Sequence, residues 1–447
     1  AGGRALAVAL LLVAGAVLVA RPPLALGALL ATTVLFEADP NGFLPITSDF
    51  YGRLRGRIAP TDVLFLLLLA GVLFELGRER RQPRLPGALT LPLLLLCFAI
   101  LFGIANGYLS GWNQVEALNS TRVFLYLAVL PFLVVNVIRE RRHLVAAVAV
   151  AAGLAAFKSV EGVVAYSLGA GGKAVSDIGS RIIYLEPTPN WLLVWFLLAL
   201  VAAVALRVPT PRWALVAAPL AIAALALSFR RSFWIAGVLG ALIVVLLARE
   251  GARRRIVIPA TVAVAAALWS ASAIGGSSAP GGQNVFLERA KTLNPASIET
   301  RPNDRYRLEE RRNVLAAIRE RPLSGLGLGV HYRIRYGLSQ HPPSAGYYSH
   351  TITLTYWLRT GLAGVLAYLA LMVTALVTAY RVSRRHPDAI VRAAALGLVG
   401  ALGGLMVAET TASFTGDDLR LTILLATALG ALASASQHVA VDEAGAA

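Results

Sequence analysis

Apolar runs long enough to cross a bilayer recur along this chain from end to end, and that recurrence leaves few folds open. They fall near 5–20, 23–37, 61–77, 88–106, 121–138, 143–166, 190–206, 213–228, 232–248, 256–274, 350–380, 390–408 and 419–437. Inside hydrocarbon every backbone amide must be paired within the protein, so only helices or a closed barrel can span. The short alternating strands of a barrel are missing, which leaves an all-α integral membrane bundle of about 12–13 transmembrane helices. Composition agrees. Hydrophobic residues make up 57% of the 447 and charged residues 15%, with mean hydropathy +0.68, a surface that water could not solvate. The first two runs, Ala5–Ala20 and Pro23–Phe36, are short and parted only by Arg21-Pro22; they read as two short spans or as one broken unit.

One long polar stretch interrupts the pattern and divides the chain into N-terminal helices (1–274), a long extracytoplasmic loop with an amphipathic helix (275–349), and C-terminal helices with a cytoplasmic tail (350–447). The short turns set this orientation. Arg78, Arg80, Arg81 and Arg84 share one turn, Arg139, Arg141 and Arg142 the next, then Arg207 with Arg212, Arg249 with Arg253–Arg255, and Arg381 with Arg384 and Arg385. These alternate with turns nearly free of basic residues, and the positive-inside rule makes them cytoplasmic. The long loop, the 167–189 loop and the Phe229–Ser232 turn then face outward. The long loop is itself basic, yet exceeds the length over which the rule acts, so its charge needs another cause.

The net charge of +17 narrows the partners. Cytoplasmic arginines set topology and meet anionic membrane lipids. Their dispersal over short turns, with no binding module, argues against nucleic acid. The single Cys97 lies in an apolar span, which excludes a disulfide framework and reads as a packed thiol. No HExxH or carboxylate-rich spacing accompanies the histidines, so neither a metal nor another cofactor is expected, and His331 and His341 read as ordinary loop residues. The chain begins at Ala1 without methionine or a cleavage signature, as a trimmed sequence would.

The loop has internal order. Asn303 or Asp304 is placed to cap a helix over Arg305–Glu320, with Leu308, Val314, Leu315 and Ile318 as its apolar stripe. Arg307 and Arg311, four apart, share a face and offer two planar forks of donors to neighbouring phosphates. The bland alternative is a solvated face paired internally with Glu309, Glu310 and Glu320. Pro322 ends the helix, and Gly325-Leu326-Gly327-Leu328-Gly329 follows. Such a run can cradle phosphate through its amides, but no Walker lysine follows, and a tight turn permitting close chain approach is the better reading.

Three motifs in order resemble those of the O-antigen ligase and polymerase superfamily. Arg307, fourteen residues, then Pro322-Leu323-Ser324-Gly325-Leu326-Gly327-Leu328-Gly329 is similar to its outer-loop signature. His350-Thr351-Ile352-Thr353-Leu354, followed by Thr360-Gly361-Leu362-Ala363-Gly364, resembles its histidine motif. Leu227-Ser228-Phe229-Arg230-Arg231-Ser232-Phe233-Trp234 resembles its Ser-x-x-Arg signature. The chain departs from the pattern at Thr351, where the family has asparagine, and at Arg311, where it has an aromatic residue. The likeness covers roughly 175–435.

The resemblance implies a metal-independent, inverting glycosyltransferase of the bacterial plasma membrane, with its active site on the extracytoplasmic side. It would move a glycan from an undecaprenyl-type polyprenyl diphosphate to a hydroxyl of a glycan, lipid or protein acceptor. His350 takes the place of the general base, and Arg307 and Arg231 those of the donor-binding cations. Arg230, Arg311, Arg181 and Asp417 are further candidates for substrate binding, with Asp417 able to orient His350 or a sugar hydroxyl, or merely to pair with Arg420 or a loop arginine. Other readings remain. A polymerase of the same superfamily differs only in acceptor. A polyprenyl-monophosphate-sugar transferase would use Glu37 and Asp39. A lipid-linked-oligosaccharide flippase, the non-enzyme reading, would demand charge through the bundle interior, and the mid-span regions are almost free of it, Lys158 and Glu161 excepted.

Overall fold

The structure, a computed structural model, describes residues 12–36, 50–51, 58–168, 174–175, 180–181, 186–248, 302–340 and 345–446. Among these the chain is helical, apart from turns and one two-residue antiparallel pair, β1 (Ala174–Val175) with β2 (Ser180–Arg181). The helices are α1 (Leu12–Ala20), α2 (Pro22–Leu35), α3 (Pro60–Arg78), α4 (Thr90–Leu109), α5 (Gln114–Val137), α6 (Arg141–Ser167), α7 (Pro187–Ala205), α8 (Arg212–Leu227) and α9 (Arg231–Leu247). The loop helix α10 (Pro302–Glu320) comes next, then α11 (Ile352–Arg385), α12 (Ala389–Ala408), the single turn α13 (Phe414–Asp417) and α14 (Leu419–Ala446). Among the described residues eight helices are long and apolar enough to cross a membrane, or nine if the first pair is one span, while α8 and α9 are shorter apolar helices. The run expected at 256–274 lies outside the described residues. The first two runs form two short helices on either side of Arg21. α1 and α2 bend by 114° at Arg21, where Pro22 cannot donate to continue the ladder.

Short connections make neighbouring helices antiparallel and give the bundle two unlike ends. At one end Arg84 donates to Arg139 O and Arg141 pairs with Asp388, so the arginine turns after α3, α5 and α11 meet there. The other end gathers the turns 110–113, 228–230 and 409–418 together with α10. Small residues let the middle pack closely. A Cβ on Gly400 of α12 would lie 2.7 Å from Gly240 O of α9, and one on Gly397 2.5 Å from Ala199 N of α7.

Two backbone features fix the loop against the spans. Residues 323–329 form a strap wedged between α4 and α11. Leu326 N donates to Leu358 O (2.7 Å), Leu328 N to Gly103 O (2.9 Å), and Gly329 O accepts from Asn113 N (2.7 Å). Gly327 adopts φ +101° with its Cα against α4, and a Cβ there would stand 2.3 Å from Gly107 N. The strap is the close-approach turn: the Gly325, Leu326, Gly327 and Leu328 amides are given to carbonyls, not aligned as a phosphate cradle. The second feature is a break inside α11. Gly361 takes φ 72° and ψ −173°, and Leu362 N donates to the strap's Leu323 O at 3.0 Å instead of to its own helix. The segment Ile352–Thr360 is thus a stub whose N-terminus opens at the site end.

Candidate active site

α10 is longer at its start than its capping residues suggest. It begins at Pro302, so Asp304 lies in the first turn, and the Asp304 carboxylate receives Arg231 Nη2 at 3.0 and 3.2 Å. The apolar end of the helix docks through Val314, Ala317 and Ile318 against Leu354 and Leu358 of the stub, with Leu326 and Tyr332. Leu308 and Leu315 are only partly buried. The inward stripe instead runs Asp304, Arg307, Glu310, Asn313, Val314 and Ala317, at helical spacing of three and four. Glu310 and Asn313 are buried in it. Charged residues face inward because the upper part of this face meets a polar site and not lipid.

That stripe brings a carboxylate to the histidine. Glu310 Oε2 accepts His350 N–H at 2.7 Å, and both its oxygens lie 3.0–3.1 Å from His350 Nδ1. The Glu310 side chain is 1% exposed and that of His350 26%. As a carboxylate Glu310 can only accept, so Nδ1 donates, and in the neutral imidazole Nε2 carries the lone pair. Nε2 makes no hydrogen bond among the described residues. Tyr306 and Tyr348 wall the imidazole, with ring centroids at 5.8 and 5.1 Å. The Tyr306 hydroxyl is buried beside Glu310 with no hydrogen-bond partner among the described residues. Burial, then the Glu310 charge, raise that phenol well above its ordinary value.

Arg307 sits on the same stripe, one turn before Glu310. It forms no ion pair or hydrogen bond among the described residues, though Asp304, Arg231 and Glu310 are close enough to act on its charge. Burial lowers its pKa, and the neighbouring Arg231 adds to the effect while Asp304 opposes it. A guanidinium stays protonated under such a shift, so this is an unneutralised cation beside a paired one. Arg311 turns to solvent and is exposed, leaving Arg307 as the inward member of the expected pair.

The remaining candidates separate. Asp417 pairs with Arg359, which donates Nη1 to its carboxylate at 3.3 Å, and among the described residues with neither Arg420 nor a loop arginine. Burial raises the Asp417 pKa, while the Arg359 and His350 charges lower it, so the carboxylate stands near the histidine without being its hydrogen-bond partner. Arg359 also reaches Gly416 O (3.1 Å) and Tyr347 O (3.4 Å), tying the last turn to the histidine's own loop. Arg230 lies near Asp418, whose pKa burial pushes up to about 6 against hydrogen bonds from Leu421 N–H and the Thr188 hydroxyl and the Arg230 charge. Arg181 belongs to β2 by its backbone, and its side chain is outside the described residues, as are Glu37, Asp39 and His341. Arg420 pairs with Glu186, and the buried Lys158 with Glu161.

Sequence reasoning missed Glu310 as a partner of the histidine and missed Arg359 entirely. A signal for the second existed: one arginine in an apolar run, which a bilayer tolerates only with partners. Arg359, 5% exposed, is a further buried charge, set at the site end of α11 beside Tyr347 and Gly416. Among the described residues no group of three or more His, Cys, Asp and Glu side chains is placed to hold a metal ion. An apolar cavity of about 130 Å³ lies elsewhere, lined by Trp191, Trp195, Leu144 and Val391, and shares no residue with the His350 cluster.

Residues 215–369 match the family model described as O-antigen ligase. That segment contains the Arg230-Arg231 turn, α10, the glycine strap, His350 and the broken start of α11, so the superfamily resemblance of the motifs is shown. The chain is a multi-pass membrane protein in which residues 215–369 are similar to the O-antigen ligase family, a class of glycan-processing membrane enzymes. No curated protein matches the chain.

Proposed function

We propose that the protein transfers a glycan from an undecaprenyl-type diphosphate to an acceptor hydroxyl at the extracytoplasmic face of the bacterial plasma membrane. The observation that carries this reading is that one face of α10 presents Arg307, without an ion pair among the described residues, and through Glu310 engages a histidine whose Nε2 makes no hydrogen bond among them. The acceptor oxygen bonds to the anomeric carbon as the carbon–oxygen bond to the diphosphate breaks. The electron pair leaves with the diphosphate, the acceptor proton passes to His350 Nε2, and backside attack inverts the centre. Arg307 and Arg231 hold the diphosphate's charge, so the reaction proceeds without metal. Asp417, a third exposed at its side chain, accepts from a sugar hydroxyl beside the histidine. The positive charge of Arg230, Arg311 and Arg181 attracts the anionic donor.

Sidedness rests on the arginine turns and on the family's habit. A ligase and a polymerase share this chemistry, and the ligase reading is preferred because the matching family is described so. The test uses membranes from cells that make the native lipid-linked glycan, carrying wild-type protein or His350→Ala. Release of glycan from lipid is expected to slow by roughly 10²–10⁴-fold in the variant. Unchanged release across neutral pH would make the histidine structural. The nature of the product left on lipid, long chains or single repeats, separates ligase from polymerase in a deletion strain.

A further inference from the structure

We infer that Glu310 is the positioning residue that makes His350 a base, so that one helix, α10, both holds the donor's charge and aims the group that activates the acceptor. This rests on the reading of His350 as the base. The chain from residues to role is short. A histidine two residues before a helix has loop backbone and a ring free to rotate, and either nitrogen can carry the proton. Glu310 removes both freedoms. Its Oε2 takes the His350 backbone N–H at 2.7 Å, fixing the loop, and the same carboxylate takes Nδ1 at 3.0 Å, fixing the ring and its tautomer. The carboxylate also faces the imidazolium that forms when Nε2 is protonated, and in a buried setting that opposed charge is screened little.

Asp417 also lies near His350, but its carboxylate takes Arg359 and makes no hydrogen bond to the imidazole among the described residues. The tyrosines at the imidazole present ring faces and edges to it, and the Tyr306 hydroxyl lies on the Glu310 side. Glu310 is three residues from Arg307, and the same packing of Val314, Ala317 and Ile318 on the α11 stub seats both. Donor binding and base alignment therefore depend on a single docking event.

The test is a double-mutant comparison of Glu310→Gln, His350→Ala and the two together, reading glycan release in membranes that hold the native lipid-linked donor. Binding of undecaprenyl diphosphate to each purified variant serves as the check on folding and donor site. Glu310→Gln is expected to bind undecaprenyl diphosphate as wild type does, to slow release by about 10²–10⁴-fold, and to slow it no further in the His350→Ala background. Equal slowing in both backgrounds would show a merely structural carboxylate and overturn the inference. Full release by Glu310→Gln, with His350→Ala slow, would overturn it while leaving the histidine's role standing. Full release by His350→Ala would instead remove the reading beneath it. Should Glu310→Gln fail to accumulate, Glu310→Asp carries the same comparison, since it keeps the acceptor and shortens its reach; release between wild type and His350→Ala is then expected, and release no better than His350→Ala with intact binding of undecaprenyl diphosphate, or full wild-type release, overturns the assignment.

Discussion

The inward face of α10 and the glycine strap that follows it look alike as candidates for phosphate: one offers guanidiniums, the other a row of amides. Folded, they differ in what remains unspent. In the strap, Leu326 N and Leu328 N donate to Leu358 O and Gly103 O, and the glycines are needed where backbone meets backbone. On α10, Asp304 satisfies Arg231, and Arg307 next to it has no partner among the described residues. A binding group is recognised by capacity left over after folding, and the second region keeps a whole guanidinium. The strap's work is mechanical: it braces the break at Gly361 and thereby the stub on which α10 rests.

The comparison breaks most visibly at Gly327. Gly327→Val must accommodate a left-handed φ and a Cβ 2.3 Å from Gly107 N. A cost above about 3 kcal/mol is expected, read as loss of monodisperse protein on size exclusion after detergent extraction. Normal recovery with weakened undecaprenyl diphosphate binding would turn the strap back into a phosphate cradle. Ile318→Ala, which thins the contact between α10 and the stub, should cost about 2 kcal/mol or more of thermal stability and slow glycan release. Arg307→Lys sharpens the other half. A point charge cannot reproduce the fork, so undecaprenyl diphosphate should bind roughly tenfold more weakly despite the conserved charge. Arg311→Ala, on the exposed side of the same helix, should weaken binding by less than about threefold and only at low salt. The smallest effect is expected from a chelator, which should leave glycan release close to the untreated rate; complete loss restored by Mg²⁺ would favour Glu37 and Asp39 as ligands.

Much of the fold was legible because hydropathy in a membrane protein is a nearly direct reading of structure. Every apolar run that falls among the described residues coincides with a helix. Within the site, legibility followed burial logic. Arg231, Arg307 and His350 stood out by type and order, and they do converge. Glu310 did not, since a glutamate among arginines on an amphipathic helix reads as a surface pair, and only the fold shows that it is buried against a histidine forty residues on. The helix start was misplaced for a related reason. Asp304 has the chemistry of a cap, but its carboxylate was claimed by an arginine from a distant turn. Asp417 likewise found Arg359, a partner from another span, where sequence proximity suggested Arg420. Local rules located the elements, and long-range ion pairs decided which charges stayed available.

The division of labour between cation and base is tested most directly by titrating undecaprenyl diphosphate into purified wild-type protein, Arg307→Ala and His350→Ala. Arg307→Ala should bind about 10- to 100-fold more weakly, the loss of charge-assisted hydrogen bonds to a phosphate. His350→Ala should bind within about twofold of wild type while releasing glycan slowly, since proton removal acts on the acceptor. Wild-type affinity in Arg307→Ala, or an equal loss of affinity in His350→Ala, would mean that donor charge and acceptor proton are not handled by separate groups.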